Sequence, residues 1–223
     1  AYEALENGMQ RVMVIDYDAH HGNGTQATFL DEERAGFIST HQWGIYPGTG
    51  WITDAPRAKK RIVNVPLQAN AGDETYMRVT NEIFKPVVES FRPQMLFISA
   101  GFDAHWNDPI TSLGLSTRGY YEMSKKLVEI AEEYCDGKIV FVLEGGYDPH
   151  NVANGAAAVF AATSGQPRLV QRFGAALYDY QQVTDIPRTI LTLEDVKMVT
   201  ATVQQQSASD FQKMWDEIAR NER

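Results

Sequence analysis

Cysteine is nearly absent: Cys135 stands alone among 223 residues. One thiol excludes an intramolecular disulfide and any zinc site built from several cysteines. Its setting, AEEYCDG, reads as the end of a helix, where a buried spectator thiol is the plainer expectation than a reactive one. Long apolar runs are missing too. No stretch approaches the roughly 18 unbroken apolar residues of a membrane helix, so no membrane partner is expected. Basic side chains are in deficit, 20 against 29 acidic ones, for a net charge of −9. A uniformly acidic chain is a poor wrapper of nucleic acid, which draws on clustered Lys and Arg. It favours the approach of small cationic molecules only weakly. No secretory leader pattern opens the sequence, so a reducing, cytoplasmic setting is the expectation. No internal repeat or low-complexity segment is visible. The chain begins at Ala1 in AYEALENG, which reads as the last turns of a helix ending near Gly8, so a segment upstream is expected.

What is present is an alternation of short apolar runs and amphipathic stretches. The runs Val12 to Tyr17, Gly36 to Thr40, Arg61 to Leu67, Met95 to Ala100 and Ile139 to Leu143 predict five strands. A helix is predicted from about Asp73 to Ser90, with a kink at Pro86. Another starts from a Ser116 or Thr117 cap and runs to about Tyr134, burying Met123, Leu127 and Ile130. An Ala-rich helix follows over Pro149 to Thr163. Near-continuous apolar strands alternating with helices predict an α/β fold, a parallel sheet covered by helices on both faces. The pattern divides residues 1–165 from a tail, 166–223, in which Phe211, Met214, Trp215 and Ile218 predict a terminal amphipathic helix. Docking of that helix on the parent domain is the plainer expectation, and a partner-binding helix the alternative.

The unusual residues collect at strand ends, where parallel α/β sheets bind ligands. The first strand runs out through Asp16 into Asp18-Ala-His20-His21-Gly22, and the fourth into Gly101-Phe102-Asp103-Ala104-His105. Residues two apart on extended chain point the same way, so Asp18 and His20 can share a target. With Asp103 they make three N/O ligands and an open position, the pattern of a catalytic metal site, with zinc the leading candidate. Taken singly, Asp18 reads equally as a cap, His20 as a buried imidazole and Asp103 as a turn residue. The fifth strand ends in Glu144-Gly145-Gly146-Tyr147, where a phenol can hydrogen-bond an oxyanion developing on a bound carbonyl. The stretch Ser39 to Gly50 interleaves aromatics with Pro and Gly. It can wall a narrow apolar pocket or form a packed loop.

Five segments in order, DYDAHHGNGTQ, STHQWGIYPGTG, VNVPL, SAGFDAHWNDP and LEGGYD, resemble the arginase-like deacetylase family. That family takes in histone deacetylases, acetylpolyamine amidohydrolases and acetoin-utilisation proteins, and GFDAH and LEGGY are most similar to its class II and bacterial branch. The resemblance covers about residues 1 to 165 and implies a three-layer fold incomplete on its N-terminal side. It implies zinc ligands at Asp18, His20 and Asp103, an oxyanion-binding phenol at Tyr147, and a structural potassium site at Asp16 and Ser39 with nearby carbonyls. Tyr46 and Ile110 fall where the family lines a tunnel for an acetylated amine. The implied reaction removes acetyl groups from acetyl-lysine or acetylpolyamine by zinc-assisted hydrolysis. The family's general base is a His-His pair in an upstream Gly-His-His segment, yet none of the five histidines here (20, 21, 41, 105 and 150) precedes His20. A catalytically inactive metal- or acyl-amine-binding module, or a structural interaction fragment, therefore stands as the alternative. An incomplete sheet also predicts an exposed edge and self-association.

Overall fold

The computed structural model describes residues 1–58 and 60–164. Strand β1, Val12–Asp16, is buried along its whole length because it sits mid-sheet and alternates between two cores. Met13 and Ile15 face one hydrophobic cluster, Val12 and Val14 the other. On one side β1 pairs with β2, Ala35–Gln42, in the register Val12↔Ala35 to Asp16↔Ser39. On the other it pairs with β4, Leu96–Ala100, from Met13↔Leu96 to Asp16↔Ser99. Beyond them lie β3, Ile62–Leu67, and β5, Ile139–Leu143, giving an all-parallel order β3-β2-β1-β4-β5. The order reverses between β1 and β4, and such a switch point opens a crevice at the carboxyl ends of the strands.

Helices cover both faces, as the apolar pattern predicts. The larger core joins Met13, Ile15, Ile38, Leu96 and Ile98 to α3 (Asp73–Val79), α4 (Lys85–Phe91), α5 (Thr117–Cys135) and α6 (Pro149–Ser164). The smaller core sets Val12, Val14 and Phe37 against Leu5 of α1 (Tyr2–Glu6) and Phe29 of α2 (Asn23–Phe29). Met123, Leu127 and Ile130 are buried as expected, together with Cys135, whose Sγ donates to the Pro93 carbonyl. Burial pushes that thiol up to about 11, so it is an inert packing group.

Two local differences from expectation have physical causes. The kink expected at Pro86 is a π-helical turn over Thr80–Phe84 linking α3 to α4. It lies where the Pro86 ring would otherwise press on the Glu82 carbonyl four residues back. The outer strands are less buried than an unbroken apolar run suggests: Val140 and Val142 of β5 are 38% and 45% exposed, on the face opposite α5. Among the described residues no helix is long and apolar enough to cross a membrane. The chain divides into Ala1–Gly165 and Gln166–Arg223, and the terminal helix expected in the tail lies outside the described residues.

Candidate metal centre

The chain leaves β1 through Tyr17 and bends over Asp18 to His20, with Asp18 N on Asp16 and His20 N on Asp18, rather than running on extended. It leaves β4 through Gly101 and Phe102, so the two switch-point strands deliver their polar residues to one place. His20 Nδ1 stands 3.1 Å from Asp18 Oδ1 and 2.9 Å from Asp103 Oδ2. One ligand atom from each of the three residues lies within 4.8 Å of the others. The remaining carboxylate oxygens are committed to backbone: Asp103 Oδ1 accepts from Ala19 N at 2.9 Å, and Asp18 Oδ2 from Gly145 N at 2.8 Å. Gly145 has to be glycine here. A Cβ on it would sit 2.5 Å from both Asp18 Oδ2 and Asp103 Oδ2, inside the ligand cluster.

Electrostatics at the cluster favour a cation. Burial, then repulsion from Asp18, holds Asp16 well above the usual carboxylate range. Burial likewise raises Asp103 and Glu144, with Asp18 adding to each. Burial opposes ionisation of Asp18 as well, but the hydrogen bonds from His20 outweigh it and leave the carboxyl below its ordinary value. His20 is pushed up to about 10 by its bonds to Asp103 and then to Asp18. A proton on Nδ1 thus bridges Asp18 Oδ1 and Asp103 Oδ2, joining the three groups that would hold a metal ion. One imidazole nitrogen and two carboxylates suit zinc, with further coordination positions free for ligand.

Tyr147 follows the Gly145-Gly146 turn, its ring edge-on to His20 at 6.1 Å between centroids. Burial, then Asp103 and Asp18, raises its pKa, so at neutral pH it is a phenol able to donate. The Tyr46 ring approaches His20 edge-on at 6.4 Å. Ile110 makes no ring contact with His20 but sits exposed on the turn after Asp103. Trp43, within the Ser39 to Gly50 stretch, pairs with Trp51 just past its end at 4.6 Å, so the segment is in part a packed loop.

At the second expected cation site, Asp16 accepts from Asp18 N at 3.1 Å and Ser39 Oγ meets His41 Nδ1 at 2.9 Å. His41 Nε2 contacts the Gly50 carbonyl, which can only accept, so Nδ1 is the acceptor and the Ser39 hydroxyl donates to it. Ser39 is the register partner of Asp16 across β1 and β2, and the lone pairs of its Oγ remain available, which fits a cation.

The other histidines are otherwise engaged. His21 faces away from the cluster, with Nδ1 on Thr49 and Nε2 on Gln26. Its ring lies 4.8 Å from His41, and burial lowers both, His41 to about 4. His105 is buried, with Nδ1 accepting from Asn107 N and Nε2 near Thr117 Oγ1. His150 is exposed at the start of α6. The paired glycines at the end of β5, which allow close backbone approach, bring the Gly145 amide onto Asp18. One residue that sequence reasoning passed over also serves the cluster: Asp108, whose buried carboxylate accepts from Tyr147 N. Asp108-Pro109 reads in sequence as an ordinary turn, and nothing in that signal points to Tyr147 thirty-nine residues on.

The family model of the histone deacetylase domain matches residues 1–163. A probable deacetylase of Archaeoglobus fulgidus is 52% identical over 145 residues, covering 64% of this chain and 40% of that protein. The chloroplastic histone deacetylase 14 of Arabidopsis thaliana is 39% identical over 178 residues, covering 79% of this chain and 42% of its own. The chain thus spans about two-fifths of the length of these relatives. Among solved structures, the HDA15 HD domain superposes with a TM-score of 0.67 at 27% identity, over 90% of this chain and 56% of that one. An acetylpolyamine aminohydrolase from Burkholderia pseudomallei gives 0.64 at 25% identity, over 72% and 47%. A parallel sheet with this switch point, the three-ligand cluster at its tips and a domain match spanning nearly all the described residues have one reading: the chain belongs to the histone deacetylase family.

Proposed function

We propose that this chain carries the metal- and acyl-binding part of a zinc-dependent amidohydrolase that removes acetyl groups from N-acetylated amines, either acetyl-lysine or acetylpolyamine. The observation that carries the proposal is the convergence of His20 Nδ1, Asp18 Oδ1 and Asp103 Oδ2 at 2.9 and 3.1 Å, flanked by two tyrosines. A relative from Pseudomonas aeruginosa is named histone deacetylase-like amidohydrolase, in line with this chemistry.

Zinc held by Asp18, His20 and Asp103 would supply Lewis acidity toward the acetyl carbonyl and lower the pKa of the attacking water. The rest falls to the protein. Backbone bonds from Ala19 and Gly145 keep the two ligand carboxylates from swinging out. The Tyr147 phenol donates a hydrogen bond to the oxygen that gains charge as the amide carbon becomes tetrahedral. Tyr46 and Ile110 flank the amine chain, and Asp16 with Ser39 would hold potassium and supply a fixed positive charge. The products are acetate and the free amine.

Proton transfer to the leaving amine needs a general acid–base group worth roughly 10² to 10⁴ in rate. His21, His41 and His105 are engaged away from the cluster, and this sequence holds no Gly-His-His. That placement favours a second reading, a module that binds metal and acylated amine without turning it over. Assay of the chain on an acetyl-lysine peptide and an acetylpolyamine separates the two readings.

Metal content of the purified chain tests what they share. Elemental analysis should find about one zinc per chain, lost in Asp103→Asn. This variant keeps an acceptor for Ala19 N but loses the anionic oxygen facing His20. A wild-type chain that takes up no zinc when supplied with it overturns the proposal.

A further inference from the structure

Tyr147 has little to hold it where the proposed chemistry needs it. The residue is 50% exposed, so apart from its edge-on contact with His20 packing does little to fix the ring. It follows two glycines: Gly145 is held by its amide on Asp18 and its carbonyl on Phe102 N, and Gly146 has φ +136°, backbone that other residues rarely adopt. What fixes the start of this side chain is the Tyr147 amide, which donates at 3.0 Å to Asp108 Oδ2.

Asp108 is a buried carboxylate with both oxygens in use. Oδ1 accepts from Ile110 N at 2.9 Å and Thr111 N at 3.3 Å, closing the turn that carries Ile110. That turn is anchored to the metal ligands, because Thr111 Oγ1 donates to the Asp103 carbonyl. It also grips the segment after Tyr147, because Asn151 Nδ2 donates to the Asn107 carbonyl at 3.1 Å. A continuous chain of bonds therefore runs from Asp103 through Thr111 and Asp108 to Tyr147. Bonds from amides to a carboxylate are about twice as strong as those between neutral groups.

We propose that Asp108 is a positioning residue: it latches the backbone after Gly146, at the Tyr147 amide, to the Asp103 loop, so that the Tyr147 phenol and the Ile110 wall keep a fixed relation to the metal ligands. The proposal rests on the reading of Tyr147 as the oxyanion donor. It also explains the need for an acid. Asparagine would keep the turn through Oδ1 but present an NH2 group to the Tyr147 amide, donor against donor. Asp108→Asn thus cuts the latch selectively and leaves the turn in place.

The test uses the whole chain loaded with zinc and acetohydroxamate as the probe, a metal chelator whose oxygen can take the Tyr147 hydrogen bond. Asp108→Asn and Tyr147→Phe should each weaken acetohydroxamate by about five- to tenfold, one hydrogen bond's worth. The double variant should be no weaker than Tyr147→Phe, and zinc affinity by chelator competition should stay within about twofold of wild type. Wild-type probe affinity in Asp108→Asn, or a loss that adds to that of Tyr147→Phe, overturns the latch. Amide hydrogen exchange judges it without metal. Faster exchange at Tyr147 with Ala19 still protected upholds it, whereas no change at Tyr147, or loss at both, overturns it. Failure of the wild-type chain to bind zinc would instead sink the metal reading and leave the exchange result to decide on Asp108.

Discussion

At the scale of single residues, His20 ties the cluster to pH. Its pKa rises from an ordinary value near 6.5 to about 10 in the folded, metal-free chain. The protonated ring therefore stabilises that state fully below about pH 6.5, and the contribution is lost as pH climbs through about 10. Zinc competes for the same nitrogen, so below pH 10 each ion bound must displace the proton. Apparent zinc affinity should then rise about tenfold per pH unit between about pH 6.5 and 9. Calorimetry in buffers of different ionisation enthalpy counts the protons directly: about one released per zinc is expected, and none would remove His20 from the ligand set. Much at this scale was legible in the sequence, because an Asp-x-His at a strand end is a local pattern. The choice of Nδ1 and the Gly145 amide on Asp18 were not legible, since both depend on how β5 ends beside β1's loop.

At the scale of elements, α5 is set by its first turn. Ser116 Oγ accepts from Gly119 N at 3.0 Å and donates to Asp73 Oδ2 at 2.6 Å, while Ser116 N donates to Asp73 Oδ1 at 2.8 Å. One serine thus caps α5 and fastens it to the start of α3. Ser116→Ala should cost about 2 kcal/mol, at the upper end for a lost cap because a link between helices goes with it. Urea unfolding of the two proteins checks this, with zinc binding expected unchanged because neither residue contacts the cluster. A cost under about 0.5 kcal/mol would mean that the backbone bond to Asp73 alone holds the corner. The cap and the buried stripe of α5 were legible because both are short-range patterns. Helix α2 was not: Gly22-Asn23-Gly24 reads as a turn, and the helix starts inside it because Phe29 has a core to enter. The π turn before Pro86 is a similar case, a compromise between a helix-breaking ring and an apolar face that stays packed through Phe84.

At the scale of the molecule, strand order decides both where the site lies and where the surface is unguarded. The order is not written in any local pattern. It follows from which runs are buried on both faces: among the described strands β1 alone is buried at every position, while β5 is not buried at any. Among the described residues β5 pairs on one side only, with β4, and presents Val140, Val142 and the 60% exposed Leu143 beside that free edge. Apolar side chains along an unpaired edge invite another strand. We therefore expect the chain to self-associate through β5. The net charge of −9 works against the approach of a second copy, and salt screens that repulsion while leaving apolar contact intact. Association should therefore strengthen as ionic strength rises, the opposite of what an interface held by ion pairs would do. Sedimentation velocity over a range of concentration and salt tests both statements. Val142→Lys should give a monomer under all conditions, since it places a charge on the exposed face of the edge strand while Phe141 keeps its place against the core. A wild-type chain that stays monomeric at high salt would show that the β5 edge is already protected, and would direct attention to what covers it.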